Sequence, residues 1–576
     1  MEKVRQWLEE THSARFELLR HFFARFFDSD LVSTPGQWRV VAAGTGAVLA
    51  SFWLLFTQAY YHKYLELTKL DNAGPYRLAQ VADALFLISL SMAAIGLLTT
   101  LQWTALFPGL RDYFALAALP VRPKQIFLAK FAALTLYCAL FIAAITVLPS
   151  VVLPAVMSGR HAGPGLVTLA ALLLSSSMAA WFSFLSLVGV QGLLLNLLPV
   201  GLFSRLSLWA QGFLFAVILS VLPLIFSIPS LSRSMNLRPD WIVYAPPCWF
   251  LGLHQVITGN REPMALRLAV LALQSVFAAA AASALTYFWS YLRHRVRVLE
   301  APTDVNKQSD QSWLSTRAVR LFSDPRELGV FSFVGKTLVR SRAHRLLFTG
   351  FLAVAVALVL NGFIGLALNP GRAGFLAPTP ALSRAAISAP LAFSLFGLAG
   401  FAYLFRLPVE LRANWLFQLS ETGNRAALMA GVERFLIYWA VAPVALLTLP
   451  LEIHLLGIGP GIAVTVLCLM PSLILMELLL LRLARIPFTS SYLPGRRPVV
   501  DTVVLYIVCV AGYITTFGAM VLGSLRAPSV AVCFFLILAV IWWRIRFVRL
   551  EDRGLGKLEF EELPEVWVQT LGIERD

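Results

Sequence analysis

LFPGLRDYFALAALPVRPKQIFLAK, residues 106–130, is the stretch whose reading decides the fold. It is polar and marked by prolines, and it separates two long apolar runs. Pro108 and Gly109 stop the run before it, because proline ends a helix and glycine relaxes the backbone. Residues 110–119 predict a short helix with Arg111, Asp112 and Tyr113 in its first turn. Pro120, Arg122, Pro123 and Lys124 end it and add positive charge. Lipid rejects this composition, so the stretch is expected at an aqueous face. A weaker copy lies near residues 407–435.

The surrounding chain has 576 residues, 58% of them hydrophobic and 14% charged. A soluble domain carries about 25% charged residues. The apolar residues come in blocks of the roughly 20 residues that a bilayer-crossing helix needs. The expectation is therefore an all-α polytopic membrane protein. Runs at about 39–60, 80–106, 126–157, 165–199, 206–231 and 264–292 give six spans. Six more lie near 346–368, 386–405, 435–457, 460–484, 502–524 and 527–547, for about 12 transmembrane helices in all. No secretion signal is expected, since the first apolar block begins near Val40.

This divides the chain into an amphipathic segment at 1–38, a first half at 39–292, a basic connection at 293–345, a second half at 346–547 and a charged tail at 548–576. In the first segment Phe16, Leu19, Phe23 and Phe26 recur at helical spacing, with Arg15, Arg20 and Arg25 on other faces. Such a helix lies in the membrane interface or packs on a partner.

The net charge of +16 reflects Lys and Arg crowded into loops on one side of the membrane, and nucleic-acid binding is not expected. The connection at 293–345 holds eleven Lys and Arg, whereas the loop near 155–164 holds Arg160 alone. That bias places the connection, both termini and the 106–130 stretch in the cytoplasm. The halves read as a parallel repeat: LRDYF at 110–114 and LRANW at 411–415 each follow a second span. Lys130-Phe131 and Arg434-Phe435 each open a third.

Chemistry-bearing signals are few. Gly329 and Gly335 in GVFSFVGKT are one residue too far apart for a phosphate-binding loop, and its interior is bulky. The five cysteines, Cys138, Cys248, Cys468, Cys509 and Cys533, form no CxxC pair, and no histidines have ligand spacing, so no metal site is expected. Glu477, in LILMELLLLRLAR, is the main charge within a span. A mid-span carboxylate needs a partner or water. Two readings are open: a structural pair with a basic group from another helix, or a substrate contact or proton relay. Arg482, five residues on, is poorly placed to pair with it. Asp83 is expected near the interface at the start of its span, and Gln191 and Asn196 are expected to hydrogen-bond between helices. In residues 238–263 the Pro246-Pro247 break suggests a short re-entrant or surface helix. Trp241, Tyr244, Trp249 and Phe250 suit the lipid–water boundary there.

The chain resembles permeases of the ATP-binding-cassette (ABC) type-2 exporter family, in a bacterial form with two halves fused. The resemblance is carried by residues 106–130, YAPPCWFLGLHQVITG at 244–259, KTLVRSRAHRLL at 336–347, LPVELRANWLFQLSE at 407–421 and LEFEELPEVWVQTLG at 558–572. It implies that this chain is not itself an enzyme and forms the path for an unidentified substrate across the inner membrane. ATP and Mg would bind two copies of a separate ATPase subunit. It implies an elbow helix before each set of spans, and a cytoplasmic helix in each half that docks on the ATPase. Arg111, Asp112, Tyr113 and Arg122 would serve in the first docking helix, Arg412 and Trp415 in the second. A re-entrant outer segment would match residues 246–259. The second half departs from the pattern, with only residues 523–529 between its last two spans. The alternatives are a secondary transporter of the major-facilitator kind and a membrane-embedded transferase of lipid-linked substrates. The basic Gly-Asp-Arg loop of the first and the paired outer carboxylates of the second are not seen in the sequence.

Overall fold

The protein is described here from a computed structural model. It describes residues 16–23, 57–58, 60–69, 73–107, 123–157, 164–231, 243–300, 324–368, 380–407, 414–420, 425–481, 483, 485–489, 499–525 and 527–555. Among the described residues there is no β-strand. Eight helices are long and apolar enough to cross a bilayer, and a bent pair makes a ninth if counted as one span. The chain is a membrane-embedded all-α protein. It forms two compact units, Met1–Asp304 and Val305–Asp576.

The first unit contains α1 (16–23), α2 (60–68), α3 (Ala73–Leu101), α4 (Pro123–Val156), α5 (Gly165–Leu197), α6 (Val200–Leu231), α7 (Pro246–Ile257) and α8 (Pro263–Glu300). Helix α3 is the central rod, packed on α5, α6 and α7. Lipid is as apolar as leucine, so helices associate through close approach and hydrogen bonds. The sequence supplies both. Ser91 Oγ lies 3.1 Å from the Ser176 carbonyl, and Ser183 Oγ donates to the Met92 carbonyl at 3.0 Å. Gly192 and Gly252 let α5 and α7 touch α8: an added Cβ would fall 2.4 Å from Thr286 Oγ1 and 2.3 Å from Leu268 Cβ.

The structure adds to one expectation here and corrects two. In α1 the buried residues are Leu18 and Phe22, one position from the stripe expected at Phe16, Leu19 and Phe23, which are only partly buried. Phe26 lies outside the described residues. Asp83 does not begin its helix: α3 begins ten residues earlier, and the carboxylate is fully buried, held by Lys63 Nζ at 2.7 and 2.8 Å and by the Tyr64 hydroxyl at 2.7 Å. Phe250 belongs to the core, not the lipid boundary, because α7 folds back against α5 and α8, while Tyr244 is 83% exposed.

The second unit contains α9 (Pro325–Arg340), α10 (Arg342–Leu368), α11 (Pro380–Leu404), α12 (Asn414–Ser420), α13 (Arg425–Leu436), α14 (Ala442–Leu456), α15 (Ile458–Leu481), α16 (Val499–Ser524) and α17 (Pro528–Leu555). Asp324 caps α9 by accepting from the Arg326 N–H at 2.8 Å. Helix α9 meets the following helix at 87°. Helices α13 and α14 run through a π-helical segment, Ile437–Val441. Pro443 would press on the carbonyl four residues earlier in a regular helix, and the wider turn relieves that clash.

Replacing Gly252 by alanine should cost about 1–3 kcal/mol, because backbone as well as Leu268 must give way. Gly350→Ala, where nothing lies within 4 Å, should be neutral or stabilising. Unfolding in bicelles compares the two. His254 on α7 is buried with both ring nitrogens unpartnered, and burial lowers its pKa to about 4. The unfolded chain then takes up this proton first. Stability should be unaffected above pH 6.5 and fall as pH drops from 6.5 towards 4. His254→Leu should remove that slope in a thermal-melt series against pH.

Candidate functional site

The main concentration of buried charge lies in the second unit, where α13, α15 and α17 meet. Glu477 is fully buried four residues before the end of α15. Its partners come from α17, not from Arg482. Arg549 Nε stands 2.6 Å from Glu477 Oε2, and Arg546 Nη1 donates to Glu477 Oε1 at 3.1 Å. The same two arginines hold Glu433 of α13: Arg546 Nη1 donates at 2.8 Å and Arg549 Nη2 at 2.7 Å. Two carboxylates and two guanidiniums make a neutral cluster. Neutrality and paired geometry are what permit it to be buried, Arg549 to 1% exposure. Arg546 is the rim member, with its guanidinium 5.3 Å from the Trp542 ring.

The cluster continues outward. Arg434, next to Glu433, pairs with Glu327 of α9 at 2.8 Å. At Gly431 the helices touch: an added Cβ would fall 2.5 Å from the Glu327 carbonyl oxygen. Helix α9 is thus tied through α13 to α15 and α17.

Helix α12, just before α13, is a short helix with two different faces. Phe417 is buried against Phe333 of α9, and Asn414 Nδ2 donates to the Thr489 carbonyl at 3.0 Å. The segment that receives Asn414 is itself locked. Phe488 is fully buried with φ +68°, a strained value for a bulky residue, and its N–H donates to the Phe405 carbonyl at 3.3 Å. The other face presents Trp415, Leu416 and Leu419 at 60%, 55% and 73% exposure. Trp415 lies on this exposed face. Arg412 lies outside the described residues.

Arg111, Asp112, Tyr113 and Arg122 also lie outside them, but both flanks of their segment are described. On one side, Gln211 Nε2 donates to the Thr100 carbonyl at 2.7 Å, Gln191 Nε2 to the Trp103 carbonyl at 2.5 Å, and Trp103 Nε1 to Ser207 Oγ at 2.9 Å. Asn196 Nδ2 donates to the Thr286 carbonyl at 2.8 Å. Gln191 and Asn196 are thus interhelical donors, and Gln191 fixes the end of α3. On the other side, buried Lys130 of α4 places its ammonium 5.4 Å from the Phe22 ring of α1.

Sequence reasoning missed Glu433, Arg546 and Arg549. Its last span stopped at residue 547, which consigned Arg549 to a solvated tail. The signal was present: RIRFVR at 544–549 sets Arg546 and Arg549 three apart, on one helix face. Residues 329–337 lie within continuous α9, so no phosphate-cradling loop forms there. Among the described residues no group of His, Cys, Asp and Glu is placed to hold a metal ion. No family model, curated protein or solved structure matches the chain.

Removing one member of the cluster strands charge in an apolar setting. Arg549→Ala should destabilise the protein by about 3–5 kcal/mol, and Arg549→Lys should recover only part, since a single ammonium cannot fork to two carboxylates. Glu477→Ala combined with Arg549→Ala should cost clearly less than the sum of the two. A double-mutant cycle on unfolding in bicelles reads the coupling directly.

Proposed function

We propose that the chain is the transmembrane permease subunit of an ATP-driven exporter of the ABC type-2 kind, about 12 spans in two parallel repeats. A separate ATPase would work it from the cytoplasm. One observation carries the reading: α12 is rigidly anchored on one face and bare and apolar on the other. It lies outside the spans, where water exposes Trp415, Leu416 and Leu419 at a cost that a docked partner would remove. A push on that face passes into α13 and then through Glu433 to Arg546 and Arg549. It reaches α15 through Glu477 and α9 through Arg434 and Glu327. The motion delivered is mechanical, and a path for substrate changes its access from one side of the membrane to the other.

The repeat has support of its own. In each unit an amphipathic helix reaches the basic residue that opens the expected third span. Phe22 meets Lys130 in one unit, and Glu327 meets Arg434 in the other. The first docking segment, with Arg111, Asp112, Tyr113 and Arg122, would leave from the clamped end of α3 and return at α4. Helix α7 would be the re-entrant outer element.

Tagged protein purified from its native membrane should bring down an ATPase subunit. Trp415→Asp with Leu419→Asp should abolish that association while leaving the permease folded. Arg111→Ala with Asp112→Ala should uncouple ATP hydrolysis from transport. A chain that purifies without an ATPase and moves solute on an ion gradient alone would contradict the reading.

A further inference from the structure

The hairpin of α14 and α15 turns at Gly457, whose φ of +92° suits glycine, and is tightest just beyond. A Cβ on Gly461 would meet the Ile453 backbone N at 2.8 Å. At that contact Glu452 is fully buried. Its Oε2 is hydrogen-bonded to Thr465 Oγ1 of α15, the Thr448 hydroxyl also lies close enough to the carboxyl to interact, and its Oε1 is buried without a hydrogen bond of good geometry. Unlike Glu433 and Glu477, it makes no ion pair among the described residues. The elements packed on α14 are α11, α15 and the π-segment. They offer few charged or titratable groups: Arg384 and Tyr403 on α11, Cys468 and Glu477 on α15, and Tyr438 in the π-segment. Of these Cys468 is buried, while Tyr403 and Tyr438 are exposed. His454, on α14 itself, is exposed.

The hydroxyl bookkeeping decides the protonation state. Thr465 has one hydroxyl hydrogen, and its Oγ1 also lies 3.1 Å from the Gly461 carbonyl oxygen. Thr448, one turn before Glu452, donates its hydrogen to the Val444 carbonyl at 3.0 Å. Ser472, two turns beyond Thr465, donates to the Cys468 carbonyl at 2.9 Å. Thr448 and Ser472 thus have their hydrogens engaged by their own backbone, and Thr465 has one hydrogen for two acceptors, Glu452 Oε2 and the Gly461 carbonyl. A carboxylic acid completes the chain: Oε2–H donates to Thr465 Oγ1, and Thr465 donates to the Gly461 carbonyl. It also leaves Oε1 as a neutral carbonyl oxygen, far cheaper to bury than half a charge.

We propose that Glu452 is a proton-binding site inside the membrane, held as the neutral acid while the α14–α15 hairpin is closed. Releasing the proton leaves a carboxylate with no cation paired to it among the described residues, at the tightest point of the hairpin. Proton release is therefore linked to separation of α14 from α15, and the hairpin opens when the proton leaves and closes when it returns. The inference does not depend on the chain being an ABC permease.

The test uses the whole protein in liposomes and a hydrophobic carbodiimide, which modifies protonated carboxyls buried in apolar surroundings. Mass spectrometry at pH 7 should find Glu452 labelled, with labelling lost in Glu452→Gln and lost progressively in the wild type as pH is raised. Glu452→Gln, isosteric and neutral, should match the wild-type melting temperature at pH 7. It should also fail to show the destabilisation that the wild type develops at high pH. An unlabelled Glu452 across pH 6–8, or labelling suppressed by sodium at fixed pH, would overturn the proposal, the latter in favour of a metal-cation site. A Glu452→Gln protein less stable than wild type at pH 7 would also overturn it, since that loss is what an ionised native carboxylate predicts.

Discussion

A helix in lipid gains little from presenting an apolar face to another helix, because the lipid offers the same contact. Helix α17 makes that constraint acute. Only 11% of its most apolar window is buried, with Val532, Leu536, Ile537 and Val540 facing outward. Apolar packing on α15 and α16 gives it little reason to stay in one register. Its fixed point is the end of the helix, where Arg546 and Arg549 reach Glu433 and Glu477. That interaction is directional and has few alternatives in a low-dielectric setting, so it specifies which faces of α13, α15 and α17 meet. The architecture of the second unit depends on it.

The first unit solves the same problem with neutral groups. Amide side chains of Gln191, Asn196 and Gln211 donate to backbone carbonyls, and Trp103 to a serine hydroxyl. Each bond in a membrane interior contributes about 0.6 kcal/mol, with individual cases to about 1.7. Three such bonds around the end of α3 hold it about as firmly as a modest ion pair, without the desolvation penalty of charge, and the fourth joins α5 to α8. In both units, then, the polar tie lies next to the segment read as a docking helix, where the spans must be stiff if displacement is to pass into them.

Much of this was legible in the chain. Long apolar runs separated by proline and basic residues located the eight helices that, among the described residues, are long and apolar enough to cross a bilayer, since periodicity matters little when a bilayer fixes the length. The expected count of about 12 is not shown, and most of the expected span at 39–60 lies outside the described residues. Interhelical donation by Gln191 and Asn196 followed from amides with no water to bind. The pairing of Glu477 with a basic group from another helix was one of two readings the sequence left open, and the identity of that group was not legible. Which arginine meets which carboxylate is a tertiary fact: Arg549 is 72 residues from Glu477. Which residues of α1 pack inside is likewise a tertiary fact: with aromatic residues at 16, 22, 23, 26 and 27 several stripes fit a helix, and Leu18 and Phe22 are the ones buried, in a cluster with Trp103 and Phe127. The burial of Asp83 was not legible because its partners, Lys63 and Tyr64 of α2, lie about 20 residues earlier in the chain.

The central claim is that the cluster of Glu433, Glu477, Arg546 and Arg549 makes α9, α13, α15 and α17 move and open together. Hydrogen–deuterium exchange of the full chain in nanodiscs measures this most directly, by comparing wild type with Arg549→Gln helix by helix. The account predicts that amides in α9, α13 and the adjoining ends of α15 and α17 lose protection together in the variant, while α3 and α5 keep theirs. Loss confined to α17, with α9 and α13 as protected as in the wild type, would contradict it.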